Sequence, residues 1–222
     1  MTEMEQADWA SRWSEGRIGF HQSSVSNFLD KYAERAWGAE RGGRFLVPLC
    51  GKSLDMVFLA DRDAEAVVGV EYVEQAVEEF FAERGLEPEV ESGPPLRYEG
   101  GPYTLFASDF FAIGTGDVGR IDKAFDRAAL IALDPETRVR YAEQMGALLP
   151  AGAVTLLITF DYDQSQMSGP PFAVAPAEVE EIFAAGFEVE RLETREVEEN
   201  HFRSVGVTEM RESAFKLTRR GA

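Results

Sequence analysis

Charged side chains stand at the ends of several short apolar runs. Glu71 closes VVGVE (67–71), Asp109 follows LFAS (105–108), and Asp126 with Arg127 closes KAFDR (123–127). A carboxylate at such an end can accept hydrogen bonds from both hydroxyls of a ribose, and a second can receive an adenine amino group. A guanidinium can favour an anion beside it. Ahead of these lies FLVPLCGKS (45–53), in which Gly51-Lys52-Ser53 copies the tail of a phosphate-binding loop.

That tail does not make a triphosphate site. The motif needs a glycine five positions before its last one, so that backbone amides can wrap the phosphates; here that position is Leu46. The dinucleotide fingerprint is also missing. Gly51 is the one glycine in the turn and Pro48 removes an amide donor, which disfavours a nicotinamide or flavin dinucleotide. Glu71 nevertheless follows Gly51 by twenty residues, the interval at which an acid meets a ribose. A nucleoside without phosphates fits two carboxylates and no glycine-rich cradle. S-adenosylmethionine is such a ligand, and its positive sulfonium tolerates acidic surroundings. Phe110 or Phe111 could pack on its adenine.

Each residue also has a plainer reading. Glu71 is either a ribose ligand or an exposed strand end, and Asp109 either meets adenine or caps a helix. Asp126 and Arg127 either face the ligand or form an internal pair. Gly51 is a ligand contact or only a tight turn, and Lys52 is solvated or paired with a carboxylate. Cys50 reads as a small buried side chain, because no neighbouring histidine would activate it. Trp9 and Trp13, four apart, share one helical face and are either core or a ligand platform.

The elements that must place these residues alternate. Strands are expected at Arg44–Cys50, Ala66–Tyr72, Tyr103–Ala107, Lys123–Asp126, Val154–Asp161, Phe187–Leu192 and Ser213–Leu217. Helices are expected at Val73–Arg84, at Pro135–Leu149, and at Pro176–Ala185 with Gly186 as its C-cap. Two more, from Trp9 to Trp13 and from Val25 to Trp37, should cover one edge of the fold. The alternation implies right-handed crossovers and a mostly parallel sheet, with the last strand entering antiparallel. Glu91–Pro102 reads as a loop or small hairpin. One domain over 1–222 is expected, a helical cover (1–43) on an α/β core (44–222).

Composition bounds the partners. The chain of 222 residues carries 22 basic and 40 acidic side chains, a net charge of −18 that repels nucleic acids and anionic membranes. One cysteine excludes an internal disulfide, and with two histidines it disfavours a zinc cage. No apolar run approaches the ~18 residues of a membrane span, and MTEMEQADWA is polar. A cytoplasmic monomer acting on a small molecule, without a metal, is the expectation.

Several segments in order resemble the thiopurine S-methyltransferase family, especially its bacterial members: WASRWSEGRIGFHQ (9–22), VPLCGKSLDMVFLA (47–60), VVGVE (67–71), SDFF (108–111), DRAALIAL (126–133), YDQSQMSGPPF (162–172) and VGVTEM (205–210). The resemblance implies a seven-stranded, Rossmann-like class I methyltransferase fold with helices on both faces. It implies S-adenosylmethionine contacts at Trp9, Trp13, Leu49, Gly51, Glu71, Asp109, Phe110 and Arg127. Phe20 and Phe172 would face substrate, and either His201 or Arg203 would supply a basic substrate contact. Arg127 would sit near the reacting sulfur, with Asp126 a candidate proton acceptor. The sequence departs from the family at Ala107-Ser108, where a Cys-Gly pair is common, and at Asp134. The implied reaction is methyl transfer to the sulfur of an aromatic or heterocyclic thiol. Alternatives are methylation of halide, thiocyanate, selenium or tellurium species, a catalytically silent S-adenosylmethionine-binding protein, and, more remotely, a nicotinamide oxidoreductase.

Overall fold

In the computed structural model, which describes residues 6–39, 42–62, 64–197 and 200–221, the elements follow the order α1 (Gln6–Ser14), α2 (Asn27–Trp37), β1 (Arg44–Pro48), α3 (Leu54–Ala60), β2 (Ala66–Glu71), α4 (Glu74–Glu83), β3 (Glu89–Glu91), β4 (Leu96–Gly100), β5 (Tyr103–Ala107), α5 (Thr115–Val118), β6 (Lys123–Asp126), α6 (Pro135–Leu148), β7 (Val154–Tyr162), α7 (Pro176–Phe183), β8 (Phe187–Glu196), α8 (Asn200–Ser204) and β9 (Met210–Arg219). They build one sheet of nine strands in the order β3-β4-β5-β2-β1-β6-β7-β9-β8. Strands β5, β2, β1, β6 and β7 are parallel, and β9 runs antiparallel to both β7 and β8.

The seven expected strands are all present, and the last is antiparallel as expected. The count rises to nine because Glu91–Pro102 is the greater part of a hairpin: β4 adds antiparallel to β5, and β3 to β4. Expected by periodicity, α4 and α6 match within a residue or two. α6 starts on Asp134, whose carboxylate accepts the Glu136 and Thr137 amides at 3.0 and 3.1 Å. The family departure at Asp134 is thus a helix cap. Gly186 does not cap α7: the helix ends at Phe183, Ala184 holds the cap position, and the Gly186 N–H bonds Phe183 O at 3.2 Å.

Alternation along the central strands feeds two cores. Leu46, Val68, Val70 and Leu157 face Tyr141 and Met145 of α6, whereas Phe45, Val47, Val67 and Leu156 face Phe28, Met56 and Phe80 of α2, α3 and α4. Burying each such side chain contributes roughly 1.5–3 kcal/mol. Gly69 is required in β2, since a Cβ there would lie 2.5 Å from Leu105 and 2.6 Å from Cys50 Sγ. The N-terminal cover lies on a face rather than at an edge. α2 crosses β7 and β8, with the Trp37 indole N–H on Val154 O at 3.0 Å and Lys31 and Arg35 paired to Glu193 and Glu190. The strand order reverses between β1 and β6, and such a switch point is where open parallel sheets form a crevice at the carboxyl ends of their strands.

Candidate active site

The turn after β1 is tight because Leu49 (φ 45°) and Gly51 (φ 50°) both adopt left-handed backbone and the Cys50 N–H returns to Val70 O at 3.0 Å. Its outer side meets Glu71 at the end of β2. Glu71 Oε2 accepts the Gly51 amide at 2.8 Å and Oε1 accepts the Val73 amide at 2.9 Å. The side chain is 7% exposed. Burial raises its pKa, against the pull of the Val73, Gly51 and Tyr72 amides. Two fixed donors leave lone pairs on both oxygens for further hydroxyls.

Lys52 is held by carboxylates rather than left free for a phosphate. Its ammonium pairs with Glu79 at 2.8 Å and Glu83 at 2.5 Å on α4, 5.9 Å from the Trp13 ring centroid. Ser53 caps α3 by accepting the Asp55 amide at 3.1 Å. Cys50 is buried against Gly69, and burial, then Glu71, pushes its thiol pKa well up.

An aromatic group covers the turn. Trp13 packs with Val73 and Ala76 and lies on Gly51, where an added Cβ would stand 3.3 Å from the indole. Phe20 meets Trp9 and Trp13 edge-on, at 5.8 and 5.7 Å between centroids. The structure therefore gathers Trp9, Trp13, Phe20, Gly51 and Glu71 in one place. His21, next in the chain, has its pKa lowered by burial and by the positive charges of Lys52, Arg127 and Arg84, with Glu83 opposing.

Asp126 and Arg127 diverge. Asp126 is a core residue, 1% exposed; it accepts the Ala129 amide at 3.0 Å and the Tyr141 hydroxyl at 2.7 Å. Burial raises its pKa to about 6 against those hydrogen bonds. It shapes the turn after β6, and both oxygens are engaged. Arg127 points elsewhere, donating from Nε to Asp55 Oδ2 at 2.7 Å. Asp55 was invisible as a site residue in the sequence. Its position two after Ser53 signals only a capped first turn, while its burial and its bonds to Ser26 and Arg127 arise from tertiary packing.

Asp109 is exposed and caps the 3-10 turn Phe110–Ala112 through the Phe111 amide at 2.9 Å. Phe110 belongs to the core, 5.3 Å from the Tyr141 ring. The half-buried ring on this turn is Phe111, with the Arg140 guanidinium 4.5 Å from its centroid. Leu49 is partly buried against the core on the α6 side. Phe172 is also buried and folds onto Gly169, whose Cβ would stand 2.5 Å from the ring; it forms the loop after β7 rather than an open wall. Arg203 lies exposed on α8, and the His201 side chain is outside the described residues. Among the described residues no cluster of His, Cys, Asp or Glu could hold a metal ion, and no helix is long and apolar enough to cross a membrane.

Comparison with known proteins fits this geometry. The family model described as Thiopurine S-methyltransferase (TPMT) matches residues 4–220. A thiopurine S-methyltransferase of Pseudomonas paraeruginosa is 43% identical over 218 residues, which are 96% of this chain and 99% of that protein. Among solved structures, the Burkholderia thailandensis 1,6-didemethyltoxoflavin-N1-methyltransferase, with bound S-adenosylhomocysteine, superposes with TM-score 0.67 at 16% identity, over 97% of this chain and 87% of that one. The [4+2]-cyclase SpnF superposes with TM-score 0.68 at 12% identity, over 100% and 99%. The last two show the fold, and between them that one fold carries different chemistries.

Proposed function

The chain belongs to the thiopurine S-methyltransferase family, and from that premise we propose how its own residues carry out S-adenosylmethionine-dependent methylation of the sulfur of aromatic or heterocyclic thiols. The observation that carries the reading is Glu71: a buried carboxylate at the carboxyl end of β2, fixed by the Gly51 and Val73 amides and roofed by Trp13. That donor set suits a ribose and lacks the glycine-rich amide cradle a pyrophosphate needs. Bound S-adenosylmethionine supplies an electrophilic methyl group, displaced in line by the incoming sulfur.

Glu71 holds the two ribose hydroxyls. Asp109 presents a carboxylate towards the adenine side, and the half-buried Phe111 ring, rather than the buried Phe110, offers the base a packing surface. Trp9 and Trp13 exclude water from the sulfonium and give it aromatic faces. Arg127, oriented by Asp55, favours the thiolate over the thiol of an acidic heterocycle. Asp126 acts indirectly, by shaping the turn that carries Arg127. Alignment of nucleophile and methyl group supplies most of the acceleration, so the chemistry needs no strong base. Phe20 and the loop bearing Phe172 bound the acceptor, with Arg203 at its outer side.

The protein is proposed to be a single-domain cytoplasmic monomer that binds no nucleic acid. Its net charge of −18 supports this, as do the acidic edge strands β3 (EVE) and β8, which discourage edge pairing. The test is product formation. Purified protein, labelled S-adenosylmethionine and a thiopurine should give S-methyl product, with halide, thiocyanate, selenite and tellurite as competing acceptors in parallel. Cofactor binding by calorimetry with no turnover on any thiol would leave a silent binding protein instead.

A further inference from the structure

We infer that Gln166 is a positioning residue for the acceptor: its side-chain amide clasps the α8 segment to the loop after β7 and so fixes the outer wall of the site. The inference rests on the proposed function, since it concerns the thiol acceptor of that same site. β6 ends at Asp126 opposite Leu157, but β7 continues to Tyr162, paired with β9 down to Met210. The β7–β9 ribbon therefore rises beyond the rim where Arg127 stands. Two connections hang from its tip: the loop of residues 163–172 and the segment of residues 200–209.

The loop is held by its own Gln164. The Gln164 amide nitrogen donates to Met167 O at 2.6 Å and Tyr162 Oη at 3.0 Å, and its oxygen accepts the Ala173 amide at 2.8 Å. The backbone then docks beside β6 through the Phe172 N–H on Ile131 O at 2.7 Å. None of this requires Gln166. Two residues from Gln164, Gln166 spends its amide outside the loop: Oε1 accepts the Thr208 N–H at 2.9 Å and Nε2 donates to Thr208 Oγ1 at 3.1 Å.

α8 spans five residues, too few to be stable alone, and Arg203, Ser204, Val205 and Gly206 are exposed. The apolar anchors of the clasped segment are Val207, 2% exposed, and Phe202, 5.8 Å from the Phe160 ring on β7. Those contacts fix the depth of the segment. The paired amide bonds fix its direction and hence where Arg203 is presented. Gln166 itself touches neither the Gly51 turn nor Glu71, so its loss should be felt by the acceptor and not by S-adenosylmethionine.

The test compares wild type with Gln166→Leu, Gln166→Glu and Thr208→Ala, with one thiol acceptor. Gln166→Leu should raise the acceptor KM on the order of tenfold, with kcat, the S-adenosylmethionine Kd and Tm close to wild type. Gln166→Glu, which keeps the oxygen that receives the Thr208 amide, should recover part of the loss, and Thr208→Ala should show a small rise. Hydrogen exchange without acceptor should show the Thr208 amide protected in wild type and fast in Gln166→Leu. An unchanged acceptor KM would overturn the inference, as would a parallel rise in both KM values with a lowered Tm. Wild-type turnover on the same thiol tests the proposed function separately.

Discussion

Asp55 on α3 receives Arg127 Nε at 2.7 Å and the Ser26 amide at 2.7 Å, so one buried carboxylate joins the end of β6, the first turn after β1 and the N-terminal cover. The pair is unequal in exposure, 2% for the Asp55 side chain and 18% for Arg127. Asp55 is thus the fixed member, and Arg127 is the one that can reach a ligand.

Asp55→Asn should therefore do two things. It should lower thermal stability by roughly 2 kcal/mol, because the partly buried Arg127 loses its anionic partner, and it should lower kcat/KM for an acidic thiol by about tenfold or more. Arg127→Lys retains the charge but loses the fork. It should spare stability and still lower kcat/KM. Melts and steady-state kinetics on the two variants separate orientation from charge.

Glu71→Gln places an amide NH2 against one of two backbone donors, Gly51 or Val73. The S-adenosylmethionine Kd, measured by calorimetry, should rise by at least about tenfold, since each bond to a charged acceptor is worth about 1.5–3 kcal/mol. Gly51→Ala should weaken the same binding by a different route. Its φ of 50° costs a Cβ residue about 1 kcal/mol, and the new Cβ would press on Trp13 at 3.3 Å.

Cys50 sits in the turn of the candidate site as a buried thiol. It is 5% exposed, and burial keeps its thiol protonated at neutral pH. A disulfide reagent should leave it unlabelled in the native protein and modify it only in denaturant. Cys50→Ala should lose about 1 kcal/mol of stability and keep kcat within about twofold.

Much of this arrangement was legible in the sequence. Strand ends are set by local patterning, so Glu71, Asp109 and Arg127 could be placed on one rim from the runs that precede them. The opening turn could be stripped of its phosphate reading because Leu46 lacks the glycine's freedom. What stayed hidden depends on side-chain direction and on contacts distant in sequence. Asp126 and Arg127 are neighbours, yet one enters the core to meet Tyr141 and the other meets Asp55. Phe110 and Phe111 are likewise adjacent, and a 3-10 turn capped by Asp109 decides which is buried. β3 and β4 were missed as separate strands because Gly and Pro around Glu91–Pro102 mask short alternation, and the acidic β3 has no buried face.

Asp126 carries a pH signature that follows from its burial. Its carboxyl titrates near 3.8 when unperturbed and near 6 when folded, where Tyr141 and the Ala129 and Leu130 amides surround it. A folded pKa above the unfolded one means the folded state binds the proton more tightly. The stabilising contribution is complete below about pH 4, falls as pH rises to about 6, and is level beyond that. Asn at this position accepts from the same amides and can donate to the Tyr141 oxygen, but it does not ionise. Asp126→Asn should therefore gain on wild type as pH rises, by up to about 3 kcal/mol between pH 3.5 and pH 7.5. Paired denaturant melts at pH 3.5, 5 and 7.5 measure that difference, and Glu71, whose pKa burial also raises, is common to both proteins and cancels. A difference that stays flat over this range would mean that Asp126 ionises as freely in the fold as in the open chain.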